Sequence, residues 1–224
     1  LAFKKSRGDI LVLSDGDVFV GQNSLNELLK PFADEQVGIV SGRPISLNDR
    51  SNKWGYFSHL LTDVGGHDTR ELRSKKNKMI VCSGYLYAFR KNLIEKIPEN
   101  ILSEDALISH IIYESGYKTA YAPLAKVFIK YPDNFRDWII QKRRSAGGYN
   151  QLKYYIKGKN KMRSFTREAL GIFRIFPYSR NLQEFLWTTE LILFRIYLWL
   201  IIYRDINLRK GKIKDIWLRV ESTK

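Results

Sequence analysis

The sequence is poor in the residues that would cross-link it or bind zinc. Its single cysteine, Cys82, excludes an intramolecular disulfide and fits a reducing compartment. Three histidines are present, His59, His67 and His110, and no pair of them has the spacing of a zinc site. We therefore interpret Cys82 as a packing residue, and we expect His67, which precedes Asp68, to lie in a solvated loop.

Acidic residues are scarce in the last third of the chain. Residues 1–140 carry 19 lysines and arginines against 17 acids, whereas residues 141–224 carry 19 against 6. The same C-terminal region holds the most apolar stretch, Phe185–Tyr203. Basic residues mixed with large apolar ones are typical of proteins that bind an anionic membrane surface. A nucleic-acid groove would not need this apolar run, so we do not expect nucleic acid as a partner.

The first half of the chain predicts an α/β fold. Ile10–Ser14 and Val37–Ser41 are apolar runs without alternation, which are typical of strands buried on both faces, as in a parallel sheet. Between them, Ser24–Phe32 carries leucines at helical spacing. This β-α-β order predicts a sheet flanked by helices. Further strands are predicted at Met79–Cys82, Tyr85–Phe89, Lys118–Ala122 and Lys126–Tyr131, and further helices at Trp54–Leu61, Lys91–Ile97, Ser103–Ser115 and Asp133–Arg144.

Glycine and charge patterns predict the connections between these elements. The glycine pair at residues 65–66 and the polar run at residues 70–78 predict a mobile loop. We place a domain boundary after residue 157, which leaves an α/β domain in residues 1–157 and a basic, apolar helical region in residues 158–224. Within that second region, an apolar stripe with several arginines predicts a helix at residues 163–176.

Asp15-Gly16-Asp17 directly follows the first predicted strand. In open α/β sheets, ligands bind at the carboxyl ends of the strands, and residues two apart in an extended chain point the same way. Asp15 and Asp17 could thus aim two carboxylates at one point, which together with phosphate oxygens would suit Mg²⁺ or Mn²⁺. The alternative is an ordinary acidic turn, since Asp-Gly is common in turns.

Glu104 and Asp105 follow Ser103 at a predicted helix start. Acidic residues in a first helical turn are favoured by the helix dipole, so the pattern is ordinary by itself. The functional alternative is a general base held in a cleft. We expect Ser103 to cap this helix and Gly116 to end it.

A third motif, Gln141-Lys142-Arg143-Arg144, ends a predicted helix. Basic residues are common at helix C-termini, where the dipole favours them. The functional alternative is a set of amide and guanidinium donors for a diphosphate or a sugar chain.

The order and spacing of these three motifs resemble those of the family-2 glycosyltransferases. These are inverting enzymes of the GT-A fold, a partly Rossmann-like mixed sheet flanked by helices, and they include the cellulose, hyaluronan and poly-N-acetylglucosamine synthases. RGDILVLSDGD resembles their strand ending in D-x-D, and LSEDALIS resembles their T-E-D motif. CSGYLYAFRKNL resembles a strand at the acceptor site, and QKRRSAGG resembles Q-x-x-R-W. The resemblance covers roughly residues 1–155.

The resemblance implies a hexosyltransferase-type reaction. The donor would be a nucleotide diphosphate sugar, expected to be a UDP sugar, and the acceptor a saccharide or a lipid-linked molecule. Mg²⁺ or Mn²⁺ would be held by Asp17 with help from Asp15, and Asp105 would accept the proton of the attacking hydroxyl. The remaining donor- or acceptor-binding residues would be Gly84, Glu104, Gln141, Arg143 and Arg144.

Two departures from the family pattern affect this interpretation. Ser145 replaces the tryptophan of Q-x-x-R-W, which helps to hold the acceptor end in the processive synthases, so both processive and single-sugar transfer stay open. The chain opens on residues 1–10, which we interpret as the end of a helix entering a strand, so the family's first strands are expected upstream. The alternative function is therefore a catalytically incomplete fragment that binds carbohydrate or membrane.

The apolar run Phe185–Tyr203 is about long enough to cross a bilayer, which needs ~20 residues. Glu190 and Arg195 would each cost roughly 2.5–3.5 kcal/mol near the bilayer centre. Glu184 and Thr188 share a face with Arg195, which favours an amphipathic helix at the membrane interface, with that face in water. The alternatives are a helix that spans the membrane and a long helix packed on the soluble domain. The expected location is the cell membrane, with the catalytic domain on the cytoplasmic side because of the basic tail.

Overall fold

Five strands form the central sheet of the part of the chain that the structure describes. This structure is a computed structural model that describes residues 2–98, 101–156, 174–207 and 223. The strands are β1 (Ile10–Ser14), β2 (Val18–Val20), β3 (Val37–Ser46), β4 (Leu86–Arg90) and β5 (Lys118–Ile129). They lie side by side in the order β1-β4-β3-β5-β2.

Seven α-helices are present in the same described ranges, together with one π-helix. The π-helix, Leu61–Asp68, joins the third α-helix to the fourth. The α-helices are α1 (Ala2–Lys5), α2 (Ser24–Leu29), α3 (Lys53–Leu60), α4 (Thr69–Lys75), α5 (Glu104–Glu114), α6 (Phe135–Gln151) and α7 (Leu182–Asn207). Most of the predicted helix at residues 163–176 and of the basic tail lies outside the described residues.

Helices cover both faces of the sheet, because alternate residues of each strand point in opposite directions. On one face, Val40 of β3 packs in a core cluster with Leu28 of α2. On the other face, Ile39 and Phe89 pack with Ile108 of α5. The predicted α/β architecture is therefore confirmed.

The sheet is mixed rather than parallel. β3 pairs in parallel with β5, whereas β4 pairs antiparallel with both β1 and β3, and β2 pairs antiparallel with β5. The prediction that Ile10–Ser14 is buried on both faces is wrong: the strand is at most half-buried, and Val12 is 41% exposed. The apolar run reflects partial burial against β4, its single described neighbour.

The segment Met79–Cys82, predicted as a strand, is extended but pairs with no strand of the described chain. Hydroxyl groups take the place of strand partners. The Ile80 amide donates to Thr119 Oγ1 at 2.6 Å, and the Cys82 amide donates to Ser109 Oγ at 3.0 Å. Buried backbone donors need a partner, so these hydroxyls satisfy the segment without a ladder.

Two other predicted element boundaries differ from the structure. The separate strands at Lys118–Ala122 and Lys126–Tyr131 are one bulged strand, β5, because the parallel register with β3 shifts rather than breaks. The predicted helix Lys91–Ile97 is a single 3-10 turn at Lys91–Leu93.

The predicted mobile loop around residues 65–78 is helical instead. The π-helix and α4 run through both the glycine pair and most of the polar run. The segment is held by side chains: Arg70 Nε donates to the Val81 carbonyl oxygen at 3.2 Å, and Arg73 Nε donates to that of Met79 at 2.6 Å. Glycines and charges are compatible with a helix when tertiary contacts of this kind hold it.

Helix α7 turns its polar residues toward the protein. Glu184 and Thr188, predicted to face water, are 7% and 0% exposed. Arg50 donates to both Glu184 carboxylate oxygens, at 3.2 and 3.1 Å, and the Tyr56 and Thr188 hydroxyls lie 2.6 Å apart. This face is therefore packed on the α/β domain, which supplies partners for the polar groups, as in the alternative of a packed helix.

The opposite face of α7 is apolar and exposed. Glu190, predicted to cost free energy in a bilayer, pairs with Lys53 at 2.7 Å. Among the described residues, one helix segment, Leu182–Arg204, is long and apolar enough to cross a membrane, with a mean hydropathy of 1.7. Its outward side chains are more than half exposed at Leu182, Leu186, Leu193, Leu200 and Tyr203.

Ser103 holds α5 against α6 rather than capping α5. It occupies the N-cap position, but its side chain makes no capping hydrogen bond. A methyl group at Gly148 would overlap the Ser103 hydroxyl oxygen and come 2.9 Å from its Cβ. Helix α6, predicted to end at Arg144, continues through this contact to Gln151.

We expect Gly148→Ala to lower the free energy of unfolding in urea. Overpacking costs roughly 1–3 kcal/mol, which exceeds the gain of about 1 kcal/mol from replacing a helical glycine. Adding Ser103→Gly should recover part of the loss, because it removes the clashing atoms. Gly65→Ala is the control, since nothing lies within 4 Å of its added methyl. Equal stabilities of the two alanine variants would contradict the close packing.

Candidate active site

Asp15 and Asp17 lie in the turn after the carboxyl end of β1. Ser14 fixes the start of this turn, since its hydroxyl donates to the Tyr85 carbonyl oxygen at 3.1 Å. Although Asp15 keeps access to solvent, partial burial and the negative charges of Asp17 and Glu104 raise its pKa to about 6. A carboxylate in this state would gain from a cation placed beside it.

Asp105 is held in a fixed orientation at the start of α5. Its Oδ2 accepts a hydrogen bond from the Gly84 amide at 2.9 Å, and its Oδ1 accepts one from the Ala106 amide at 2.8 Å. Burial and the charge of Glu104 raise the pKa of Asp105 to about 6, against the opposite effect of these two bonds and of Arg70. A carboxylate with this pKa is suited to accept a proton near neutral pH.

Three segments that are distant in sequence lie close enough for their charges to act on one another, and we refer to this group of residues as the pocket. Asp15 experiences the negative charge of Glu104 and the positive charge of Arg144. Tyr85, on the segment leading into β4, experiences the charges of Asp15, Arg144 and Asp17. The acidic turn, the start of α5 and the middle of α6 therefore share one electrostatic environment.

The other residues predicted from the Gln-Arg motif lie along α6. Gln141 and Arg143 are both partly buried. Gln141 lines a small cavity with Tyr131 and Trp138. Tyr131 lines this cavity and also contacts Tyr85 of the pocket: the two rings pack edge to face, with 5.9 Å between their centroids.

Two tyrosines beside the acidic residues were not predicted as site residues. Tyr85 and Tyr87 flank Leu86 at the start of β4. Tyr87 is 1% exposed, and its hydroxyl has no hydrogen-bond partner among the described residues. Burial and the charges of Glu104 and Asp105 raise its pKa well above the usual range. The sequence signal is two tyrosines separated by one residue, directly after Gly84, and this pattern could have indicated that both belong to the site.

Asp15 and Asp17 could hold a divalent cation only together with oxygen ligands from a bound molecule. Within the described ranges, no group of three or more carboxylate, imidazole or thiol side chains could hold a metal ion by itself. Asp15 and Asp17 offer two carboxylates, and Mg²⁺ commonly takes one or two carboxylates and completes its shell with substrate phosphates and water. The repulsion that raises the pKa of Asp15 is the kind that such a cation relieves.

His59 and His67 form hydrogen bonds with residues other than the acidic residues of the pocket. His67 does not lie in a solvated loop as predicted: it is half-buried in the π-helix, and its Nδ1 lies 2.8 Å from the Tyr121 hydroxyl. His59 Nε2 lies 2.8 Å from the Asn48 carbonyl oxygen. Burial raises the pKa of Cys82 to about 12, so its thiol stays protonated and packs in the core.

Comparison with known proteins finds similarity to a hyaluronan synthase and to a probable glycosyltransferase. Hyaluronan synthase from Streptococcus pyogenes is 26% identical over 206 residues, which cover 86% of this chain and 44% of that protein. The probable glycosyltransferase YdaM from Bacillus subtilis is 27% identical over 158 residues, 68% of this chain and 38% of that protein. The chain thus spans less than half the length of these two curated relatives.

A solved structure has the same fold. The mannosyltransferase PcManGT from Pyrobaculum calidifontis, in complex with GDP-Man and Mn²⁺, matches 96% of this chain and 60% of its own with a TM-score of 0.51 and 16% identity. This match confirms the GT-A-like fold expected from the sequence motifs. A family model, the glycosyl transferase family group 2, matches residues 10–208, a range that includes all three motifs of the pocket. The chain belongs to this glycosyl transferase family.

Proposed function

We propose that the protein transfers a sugar from a nucleotide diphosphate sugar to a hydroxyl of a saccharide or lipid-linked acceptor, with inversion at the anomeric carbon. The observation that carries the proposal is the meeting of Asp15, Glu104 and Arg144 in one electrostatic environment. Opposite charges around one cleft suit a reaction in which a diphosphate leaves and a hydroxyl loses a proton.

Asp105 serves as the general base of this proposal. Two backbone amides, those of Gly84 and Ala106, fix the carboxylate. It accepts the proton of the acceptor hydroxyl as the oxygen attacks the anomeric carbon, and the carbon–oxygen bond to the diphosphate breaks. One displacement inverts the centre and needs no covalent enzyme intermediate. Glu104 acts by keeping the pKa of Asp105 high.

The donor side of the pocket is assigned to the acidic turn and α6. Asp15 and Asp17 would hold Mg²⁺ or Mn²⁺, which when bound neutralises charge on the diphosphate. Arg144 supplies a guanidinium that can bond phosphate oxygens bidentately. The GDP-Man and Mn²⁺ named for the mannosyltransferase support a nucleotide sugar and a divalent metal. UDP is the nucleotide expected from the sequence motifs.

We expect release of nucleoside diphosphate from a panel of nucleotide sugars to rise with pH through about 6. Below this value Asp105 is protonated and cannot accept a proton, so the rate falls up to tenfold per pH unit. Glu104→Gln removes a negative charge that raises the pKa, so its profile should move to lower pH. A rate that stays flat between pH 5 and 8, or a shift toward higher pH, would contradict the role of Asp105. No release with any sugar would contradict the activity.

The exposed face of α7 supports a membrane-bound location. Its polar residues are engaged with the domain, so the outward leucines are left to contact a lipid surface. The basic residues that follow in the sequence would favour an anionic, cytoplasmic leaflet. The helix would then lie against the membrane, with the pocket on the cytoplasmic side.

We expect Leu193→Asp to weaken binding to phosphatidylserine vesicles by roughly tenfold, since a buried leucine contributes about 1.5–3 kcal/mol. Leu193 is 59% exposed on α7. Leu124→Asp is the matched control, because Leu124 is 61% exposed on β5, away from this face. Co-sedimentation measures both variants. Equal binding of the two would contradict contact through α7.

A further inference from the structure

Two arginines beside the pocket lack acidic partners. The ion pairs of the described residues include neither Arg43 nor Arg70. Arg43 Nε is buried and has no hydrogen-bond partner in that part of the chain. Burying a guanidinium donor without a partner is costly, so such a group commonly awaits a ligand.

Both guanidinium groups face the same phenol. His67 Nδ1 lies 2.8 Å from the Tyr121 hydroxyl, with the rings 5.7 Å apart. The positive charges of Arg70 and Arg43 both act on Tyr121, and that of Arg43 also acts on His67. The hydrogen-bonded pair of His67 and Tyr121 is therefore within range of two cations.

The glycine pair of the π-helix leaves room beside this cluster. A methyl at Gly66 would come 3.3 Å from Arg70 Nη1, and a methyl at Gly65 would meet nothing within 4 Å. Two nearby acids are engaged elsewhere: Asp63 accepts a hydrogen bond from the Tyr178 hydroxyl, and Glu71 pairs with Lys75. Among the described residues Arg70 forms no ion pair with these acids, although the negative charges of Glu71 and Asp68 also act on Tyr121.

The cluster adjoins the proposed base. Arg70 Nε donates to the Val81 carbonyl oxygen at 3.2 Å, and three residues further on the Gly84 amide donates to Asp105 at 2.9 Å. The charge of Arg70 also lowers the pKa of Asp105. It does the same for Tyr131, whose ring contacts Tyr85 at the acidic pocket. A molecule that presents its hydroxyl to Asp105 can therefore reach Arg70 with a neighbouring group.

We propose that Arg43 and Arg70, together with His67, bind an anionic group of the acceptor, either the carboxylate of an acidic sugar or the phosphate of a lipid-linked one. This inference rests on the proposed glycosyltransferase function. It adds a chemical class to the acceptor: one that carries a negative charge close to the attacking hydroxyl. Guanidinium groups suit both anions, because their planar donors match carboxylate and phosphate oxygens.

The test compares simple probes on the whole protein. UDP with Mn²⁺ is titrated first, and then methyl β-D-glucuronide, methyl phosphate and neutral methyl β-D-glucoside are titrated into the UDP-bound protein. We expect at least one of the two anions to bind roughly tenfold tighter than the glucoside, as a charge-assisted hydrogen bond would give. The anion that is favoured distinguishes an acidic sugar from a phosphate.

Arg43→Gln should remove this preference, and Arg136→Gln, at an exposed arginine of α6, should keep it. Glucoside binding as tight as that of both anions would overturn the inference, and so would an anion preference that survives in Arg43→Gln. If the Arg43→Gln variant fails to fold, the affinities of the three probes for the wild-type protein still test the inference. UDP binding without an anion preference defeats this inference alone, whereas absence of UDP binding defeats the proposed function and this inference together.

Discussion

Asp105→Asn is expected to lower the rate of sugar transfer by ~10²–10⁴-fold, the usual contribution of a positioned general base. The amide cannot accept the proton of the attacking hydroxyl at any pH. It also removes one hydrogen bond, because one of the two oxygens that accept from the Gly84 and Ala106 amides becomes an amide NH2 group, which cannot accept. Initial rates of nucleoside diphosphate release at saturating donor measure the loss.

Glu104→Gln is the matched control, since it removes the same charge one residue away. We expect it to keep near wild-type turnover at pH 8, where Asp105 is ionised in either protein. UDP affinity should stay close to wild type in Asp105→Asn, and urea unfolding should show that both variants still fold cooperatively. Turnover within a few-fold of wild type in this variant would remove Asp105 from the mechanism, and an equal loss in Glu104→Gln would argue against a specific base.

Replacing both Asp15 and Asp17 by asparagine should abolish Mn²⁺-dependent binding of UDP. Two carboxylates are lost from a site where their mutual repulsion raises the pKa of Asp15. A metal ion contributes several kcal/mol to holding charge, so a loss of about 100-fold in affinity is expected. Isothermal titration of UDP with Mn²⁺ and with EDTA gives both affinities.

Asp9→Asn provides the control for that double variant, because Asp9 is an exposed acid just before β1. It should bind UDP as the wild type does, with the same loss on adding EDTA. UDP binding of equal strength with Mn²⁺ and with EDTA would contradict the metal site. If the double variant kept metal-dependent binding, other residues would have to hold the ion.

The parts of the site that follow a strand or start a helix could be predicted from the sequence. Asp15 is identified by the apolar run before it, and Asp105 by the helical pattern after it. These patterns depend only on residues that are close in the chain. Site residues whose environment comes from distant segments could not be predicted from such patterns. Tyr87 gains its environment from α5, and Arg43 gains its environment from the π-helix.

The π-helix shows why the glycine pair misled the prediction. Glycine and charge favour a loop when judged locally, but Arg70 and Arg73 each donate to a carbonyl oxygen of the extended segment that follows. The amides of Ile80 and Cys82 in this segment donate to hydroxyls rather than to a neighbouring strand. The contacts of Arg70 and Arg73 with these carbonyl oxygens could not be deduced from the local sequence pattern.

Helix α7 was misoriented for a similar reason. A row of polar residues on a helix predicts a solvent-exposed face only when no other part of the protein packs against that face. Arg50 and Tyr56 lie more than 120 residues earlier in the chain and provide partners for Glu184 and Thr188. The hydrophobic pattern gave the length of the helix correctly, but it could not tell which side met protein.

The two ion pairs of α7 have a mechanical consequence. Glu184 and Glu190 are six residues apart, or about 9 Å along a helix, and they are bound by Arg50, just before α3, and by Lys53, the first residue of α3. The helices α3 and α4 and the π-helix between them follow one another without a break. The two ion pairs therefore attach α7 to the start of the same helical segment that carries Arg70.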